Sequence, residues 1–178
     1  ELLSDTPDLV GAWRAKVITL FPDAFPGVLG QSLTGRALQD GKWALELIDL
    51  RQFGIGKHKN VDDTPAGGGA GMVLRADVVG AAFDAARPGT PTDPNCWPVI
   101  YLSPRGKPFS HDMAKKFSKA VGVTILCGRF EGVDERALEE YNVQEVSLGD
   151  FVLTGGEIAA QAVIDATIRL LPDVLGNA

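Results

Sequence analysis

Two glycine-bearing segments, residues 67–71 and 149–157, have the composition of ligand sites built from backbone. Glycine lets the main chain approach a ligand closely, and successive backbone N–H groups can hold an anion or a polar group. The glycines at 67–71 fit a phosphate cradle and a surface turn equally well. Gly155 and Gly156 precede an apolar helix whose first amides would face a ligand, so for them we favour binding over a plain turn.

A third segment, residues 128–136, brings five charged side chains between a strand and a helix, where catalytic groups are often found. Asp134 and Glu135 are explained by the helix that follows, as its N-cap and as an acid near its positive end. Arg129 and Glu131 stand between glycines and have no such explanation. We therefore predict that these two side chains contact a ligand.

Three apolar strands are predicted to position these segments. Residues 99–102, 123–127 and 144–147 are each followed by a small, polar or glycine-bearing loop, and helices fill the intervals between them. Strands that are buried on both faces and joined by helices form a parallel sheet. Because ligands bind outside the carboxyl ends of such strands, we expect the three loops to form one cup.

The helices of the second half are predicted to begin after Ser110 and Asp134, which are good N-cap residues, and at Glu157. The pattern of the first half is less regular, and its longest aperiodic stretch has the length of a functional loop. Its predicted elements are a strand at 15–20, helices at 24–29 and 34–40 with Gly41 as a left-handed C-terminal residue, a strand at 43–50, a loop at 51–71 and a helix at 72–86.

Composition excludes several classes of protein. The chain has 178 residues, 45% apolar and 22% charged, as expected for one globular α/β domain, and no apolar run approaches the roughly 20 residues of a membrane span. Cys96 and Cys127 lack C-x-x-C spacing, which fits a reducing cytoplasm better than structural zinc. The net charge of −6 means that any nucleic-acid contact must depend on local basic patches. Motifs of dinucleotide-binding, P-loop, serine-hydrolase and zinc-protease sites are missing from the sequence.

A series of longer motifs occurs in order along the chain. They are TLFP at 19–22, TGRA at 34–37, VDD at 61–63, GGGAGM at 67–72, YLSP at 101–104, CGRFEGVDER at 127–136 and GDFVLTGGE at 149–157. Together they closely resemble the amino-terminal catalytic domain of the bacterial tRNA (guanine-N1)-methyltransferases of the TrmD type. The resemblance assigns residues 13–176 to this domain and leaves residues 1–12 as an extra amino-terminal segment.

The resemblance implies a SPOUT methyltransferase, an α/β protein whose parallel sheet is flanked by helices and ends in a deep C-terminal trefoil knot. In that fold the three loops would form the knotted cup for the methyl donor, S-adenosylmethionine. The residues implied to bind the donor are Tyr101, Leu102, Ser103, Pro104, Gly128, Arg129, Gly132, Leu148, Gly149, Phe151, Leu153, Gly155 and Gly156.

The reaction implied by the resemblance moves a methyl group to N1 of the guanosine 3′ of a tRNA anticodon. Arg169 matches the family arginine that stabilises charge on the guanine O6, and Glu131 is the residue we associate with catalysis and with magnesium. The family's base is an aspartate that would follow Ala178, as would a linker and an RNA-binding C-terminal domain. We therefore expect these 178 residues alone to bind the donor but to be catalytically deficient.

The resemblance also implies a homodimer with the active site at the subunit interface, acting on tRNA and not on a membrane. Asp63, Gly67, Gly68 and Gly69 would shape the guanine pocket. Two other functions stay open on the sequence: a nucleotide-binding domain without catalysis, and a SPOUT methyltransferase that acts on a different RNA.

Overall fold

Five parallel strands in the order β2-β1-β6-β5-β7 form the central sheet. The computed structural model describes residues 11–65, 68, 71–129 and 132–175. The strands of this sheet are β1 (Trp13–Thr19), β2 (Trp43–Asp49), β5 (Val99–Pro108), β6 (Gly122–Leu126) and β7 (Gln144–Ser147). Two further strands, β3 (Asp62–Asp63) and β4 (Val73–Leu74), pair antiparallel outside it. The predicted parallel sheet is thus confirmed.

Helices cover both faces of the sheet, so most residues of its central strands β1 and β6 are buried. The helices are α1 (Ser32–Gln39), α2 (Ala76–Ala86), α3 (His111–Ser118), α4 (Glu135–Glu140) and α5 (Glu157–Ile168). Helices α1, α3 and α5 pack with Val17, Val123 and Ile125 in one core, whereas α2 and α4 pack with Ile18 and Leu126 in the other. Alternate residues of one strand therefore enter opposite cores.

Local end signals of the helices behave as predicted. The Ser110 hydroxyl accepts from the Met113 N–H at 3.2 Å, and the Asp134 carboxylate accepts from the Arg136 N–H at 3.0 Å. Gly41 has a φ of +73° just beyond α1, the conformation that ends a helix and favours glycine.

Two predicted helices differ in the structure. Residues 24–29 form two 3-10 turns, Pro22–Ala24 and Gly27–Gly30, instead of one α-helix. The reason is local: Pro26 has no N–H to donate, and Gly27 adopts a φ of +56°, which a right-handed helix cannot contain.

The helix predicted over 72–86 begins only at Ala76, because the residues before it are extended. β4 pairs with β3 there, and the Leu74 N–H donates to the Gly132 carbonyl at 2.9 Å. The prediction that 51–71 lacks structure was also partly wrong, since this stretch contains a 3-10 turn at Leu50–Phe53 and β3. These short elements join the first half of the chain to the loop after β6.

Strand β5 is interrupted where the predicted cup begins. Its pairing with β7 runs to Leu102 opposite Val146 and resumes with Lys107 opposite the same residue, so residues 103–106 leave the ladder. This bulge turns the backbone away from the sheet at its carboxyl end. It thereby supplies one wall of the site described next.

Candidate functional site

A cavity of about 420 Å³ opens at the carboxyl ends of β5, β6 and β7. Every residue predicted above to bind the donor lines it, so the structure brings all three loops together as the parallel topology predicted. Five more residues complete the lining: Arg105, Ser147, Val152, Thr154 and Ala159. This volume is within the roughly 300–1,000 Å³ of small-molecule sites.

The end of β5 gives the cavity a buried, largely apolar wall. Tyr101, Leu102 and Ser103 are buried, and burial raises the pKa of the Tyr101 hydroxyl, with the charge of Glu145 adding to the effect. A Cβ at Gly128 would lie 2.7 Å from a carbon of the Tyr101 ring. Glycine at position 128 therefore lets the loop after β6 approach this wall.

Arg129 forms the second wall and is fixed from three sides. Its Nε and Nη2 atoms contact the Glu157 carboxylate at 2.8 and 2.7 Å. Its Nη1 donates to the Thr154 carbonyl at 3.4 Å, and the guanidinium lies 4.5 Å from the centroid of the Phe21 ring. Such an arginine loses little freedom when a ligand binds, because its geometry is already set.

Glu157 is buried at the first position of α5, behind the cavity wall. Its second oxygen accepts from the Thr19 hydroxyl at 2.9 Å, and that hydroxyl accepts from the Phe21 N–H at 2.9 Å. Burial, with the neighbouring Glu157 carboxylate as the next cause, raises the pKa of the Cys127 thiol well above its ordinary value. The thiol is consequently a neutral packing group and not a nucleophile.

Gly155 and Gly156 let α5 begin directly against the end of β6. The Gly156 N–H donates to the Gly128 carbonyl at 3.0 Å, and a Cβ on Gly156 would lie 2.9 Å from the Cys127 Cα atom. A Cβ on Gly155 would collide with the Arg129 guanidinium. The two glycines are therefore required by close packing at the site.

The loop after β7 closes the third side. The Ser147 hydroxyl donates to the Gly149 carbonyl at 2.9 Å and accepts from the Gly149 N–H at 3.2 Å, which tightens the turn. Phe151 is 51% exposed and Val152 83% exposed, although both line the cavity. This side thus presents an apolar rim to the surroundings.

The chemical types of the described lining residues fit a nucleoside-type methyl donor. It combines aromatic and aliphatic surface from Tyr101, Leu102 and Leu153 with glycine backbone that a planar ring can approach. Arg105 and Arg129 supply the charge, and no described lining residue is acidic.

Of the residues predicted for catalysis and for guanine, the structure describes Arg169, Asp63 and Gly68, and none of these three lines the cavity. Arg169 is exposed just beyond α5 and is not among the lining residues; the lining residue Ala159 lies ten positions before it, about 15 Å along the helix axis. Asp63 is exposed on β3 and lies 3.7 Å from the Arg75 guanidinium, and Gly68 is exposed with a φ of +76°. Gly67, Gly69 and Glu131 are outside the described residues.

Sequence reasoning missed Glu157 and Thr19. Glu157 looks like an ordinary acid in the first turn of a helix, and Thr19 like a strand residue. The one signal that could have singled out Glu157 is its place directly after the two glycines.

Within the residues that the structure describes, no three His, Cys, Asp or Glu side chains are grouped so that they could hold a metal ion. Over the same residues, every helix is too short or too polar to cross a bilayer.

Comparisons with known proteins agree with the motifs. The family described as tRNA (Guanine-1)-methyltransferase TrmD matches residues 13–178. A "tRNA (guanine-N(1)-)-methyltransferase" of a Ruegeria species is 69% identical over 175 residues, which is 98% of this chain and 70% of the relative. Proteins of the same name from Cereibacter sphaeroides and Mesorhizobium japonicum are 70% and 54% identical over 95% and 93% of the chain, and 68% and 70% of their own lengths. The chain belongs to the TrmD family of tRNA (guanine-1)-methyltransferases.

Proposed function

We propose that this chain is the catalytic domain of a tRNA (guanine-N1)-methyltransferase that uses S-adenosylmethionine and modifies the guanosine 3′ of the anticodon. The observation that carries the proposal is the coincidence of two independent results. The family match covers residues 13–178, and every residue that the resemblance assigns to the donor lines one cavity.

The cavity residues have separate tasks in donor binding. The apolar surface of Leu102, Leu148 and Leu153 suits the adenine ring, and the backbone of Gly128 and Gly156 permits its close approach. When bound, the donor supplies an electrophilic methyl group on a positively charged sulfur.

Methyl transfer then forms the bond between guanine N1 and the methyl carbon and breaks the bond between sulfur and that carbon. Since N1 of guanosine carries a hydrogen, one proton must leave to a base, for which the resemblance implies an aspartate beyond Ala178. We assign Arg169 to the charge that develops on O6. Most of the acceleration would come from holding the reacting atoms in line.

The remote position of Arg169 supports the homodimer implied by the resemblance. The lining residue Ala159 lies about 15 Å along the helix axis from Arg169 of its own chain, so the cavity can instead be completed by Arg169 of the partner subunit. Exposed apolar residues occur close to the cavity: Phe21 beside Arg129, and Val28 next to α5, where Gln161 donates to the Ala24 carbonyl at 2.8 Å. Ile158 on α5 is 66% exposed and extends this surface.

The sequence analysis makes several further predictions about this chain. They comprise a trefoil knot around the cavity, a methyltransferase domain over 13–176 with 1–12 as an extra segment, magnesium at Glu131, guanine contacts from Asp63 and 67–69, and a cytoplasmic location where tRNA is available. The cytoplasmic location rests on the cysteine content and the others on the resemblance, and all of them stay predictions.

Donor binding is the first test. Calorimetric titration of S-adenosylmethionine into the 178-residue chain should give saturable binding at one site per subunit. The same chain should form little N1-methylguanosine on tRNA transcripts, measured by mass spectrometry of digested RNA. A folded chain that binds no donor would contradict the proposal, and donor binding by a longer gene product that never methylates tRNA would favour a non-catalytic nucleotide-binding domain.

A further inference from the structure

We propose that Glu157 sets the preference of the cavity for a positively charged donor by neutralising Arg129. The inference rests on the proposed function, because it concerns the same cavity and the same ligand class. It assigns to Glu157 a positioning and specificity role, since the side chain stands behind the wall and is not among the lining residues.

The first argument is the electrostatics of the lining. The described lining residues include Arg105 and Arg129 and no carboxylate. A sulfonium is a cation, so an uncompensated guanidinium beside it would oppose binding through a poorly screened interaction. S-adenosylhomocysteine, the product after methyl loss, has an uncharged thioether and would not meet this opposition.

The second argument is that Glu157 is built to compensate one of these charges. Its side chain is only 6% exposed, and one carboxylate oxygen contacts two nitrogens of Arg129 at 2.8 and 2.7 Å. A buried carboxylate is costly unless it is paired and hydrogen-bonded, and here Arg129 and Thr19 together satisfy both oxygens. Arg129 therefore enters the cavity as half of a neutral pair.

The third argument is that the pair is held rigidly. Thr19 fixes the far oxygen of Glu157 and in turn accepts from the Phe21 N–H, while the Phe21 ring lies against the guanidinium. The contacts join the end of β1, the loop after β6 and the start of α5. The guanidinium is thus already paired in the absence of a ligand.

A purely structural role predicts a different outcome from a charge-matching role. If Glu157 only held the loop in shape, its loss would weaken the binding of the charged donor and of the neutral product to the same extent. If Glu157 balances the charge of Arg129, its loss would weaken the binding of the charged donor more than the binding of the neutral product. The ratio of the two dissociation constants separates these cases, because errors in folding or in pocket shape enter both constants.

The test measures Kd for S-adenosylmethionine and for S-adenosylhomocysteine by calorimetry in wild type and in Glu157→Gln. We expect the ratio of the donor Kd to the product Kd to rise by about three- to tenfold, a magnitude reduced by partial exposure of Arg129. The shift should shrink at high salt. A ratio within twofold of wild type, with both ligands weakened equally, would overturn the inference.

Three further variants keep the result interpretable. Arg129→Gln leaves the carboxylate without its partner, so the ratio should move in the opposite direction, and this holds even where Glu157→Gln does not fold. Glu157→Asp retains the charge and should leave the ratio near the wild-type value. Asp165→Asn removes an exposed carboxylate from the same helix away from the cavity and should change neither constant. Wild type that binds neither ligand would instead refute the proposed function.

Discussion

Gly156 is the residue at which the cavity depends most directly on the absence of a side chain. A Cβ there would lie 2.9 Å from the Cys127 Cα atom and 3.0 Å from the Gly128 nitrogen, both of them backbone atoms that cannot swing aside. We expect Gly156→Ala to lower the free energy of unfolding by about 1–3 kcal/mol, as overpacking does, and to weaken donor binding at least about tenfold.

Gly80→Ala is the matched control for this substitution. Gly80 lies within α2, and the nearest atom to an added Cβ would be the Tyr141 hydroxyl oxygen at 3.4 Å, an ordinary contact. Alanine is the better helix former by about 1 kcal/mol, so stability should be equal or higher and donor affinity unchanged. Urea denaturation and calorimetry measure both quantities, and equal effects of the two substitutions would contradict the packing argument.

At the residue scale the sequence predicted the lining of the cavity but not the support behind it. Tyr101 lies near the end of one predicted strand, Gly128 and Gly155 lie in the loops after two others, and parallel topology brings such ends to one edge. Thr19 and Glu157 are separated by 138 positions, and the bond between them depends on how β1 and α5 pack. No periodicity or motif in the chain indicates such a contact.

At the scale of elements, the N-terminus of α4 links the cavity edge to a titratable ion pair. The Asp134 carboxylate caps the helix and contacts the Arg136 guanidinium at 3.0 and 2.6 Å. The hydrogen bond from Arg136 holds the pKa of Asp134 below its ordinary value. Gly132, two residues before this cap, lines the cavity.

A depressed pKa in the folded state means that the stabilisation is complete above the pKa of the unfolded chain, near 3.9, and is lost as the pH falls through the folded value. We therefore expect the free energy of unfolding to fall between about pH 5 and pH 3, with a shallower fall in Asp134→Asn, which can still cap the helix. Urea denaturation across this range measures the two slopes. Identical slopes would show that the pair makes no contribution.

The elements rich in apolar residues were the most predictable from sequence. Strands β1, β2 and β6 and helix α5 carry enough apolar residues to be located within a few positions, whereas β5 was predicted only over residues 99–102 because its second half is polar. β3 and β4 have two residues each, too few for an alternating pattern, and they form because they pair with each other and with the loop at Gly132. The two 3-10 turns depend on single residues, Pro26 and Gly27, which a composition-based helix prediction averages out.

For the whole molecule, the exposed apolar surface beside the cavity is the main argument about assembly. Val28 and Ile158, each 66% exposed, lie on neighbouring elements that the Gln161 hydrogen bond ties together, and Val152 at the rim is 83% exposed. Exposed apolar residues that form a continuous surface mark an interface more often than scattered ones do, and on this ground we propose that these residues face a second subunit. Composition predicts neither the proposed pairing of subunits nor the proposed knot, because the first depends on a surface of the folded chain and the second on the complete path of the chain.

The dimer gives the last prediction. Ile158→Asp places a charge in the proposed interface, where an unpaired buried carboxylate is costly, so sedimentation velocity at micromolar concentration should show a dimer for wild type and a monomer for the variant. Val121→Asp is the control, because Val121 is 45% exposed at the opposite, amino-terminal edge of the sheet next to β6, and that variant should stay dimeric.

If the donor cavity is complete within one chain while Arg169 of the partner subunit serves the guanine, the monomeric variant should retain donor binding. The same substitution in a longer gene product should abolish tRNA methylation. A dimer that survives Ile158→Asp would place the interface elsewhere, and a wild-type monomer would contradict the proposed dimer and leave Arg169 without its proposed role.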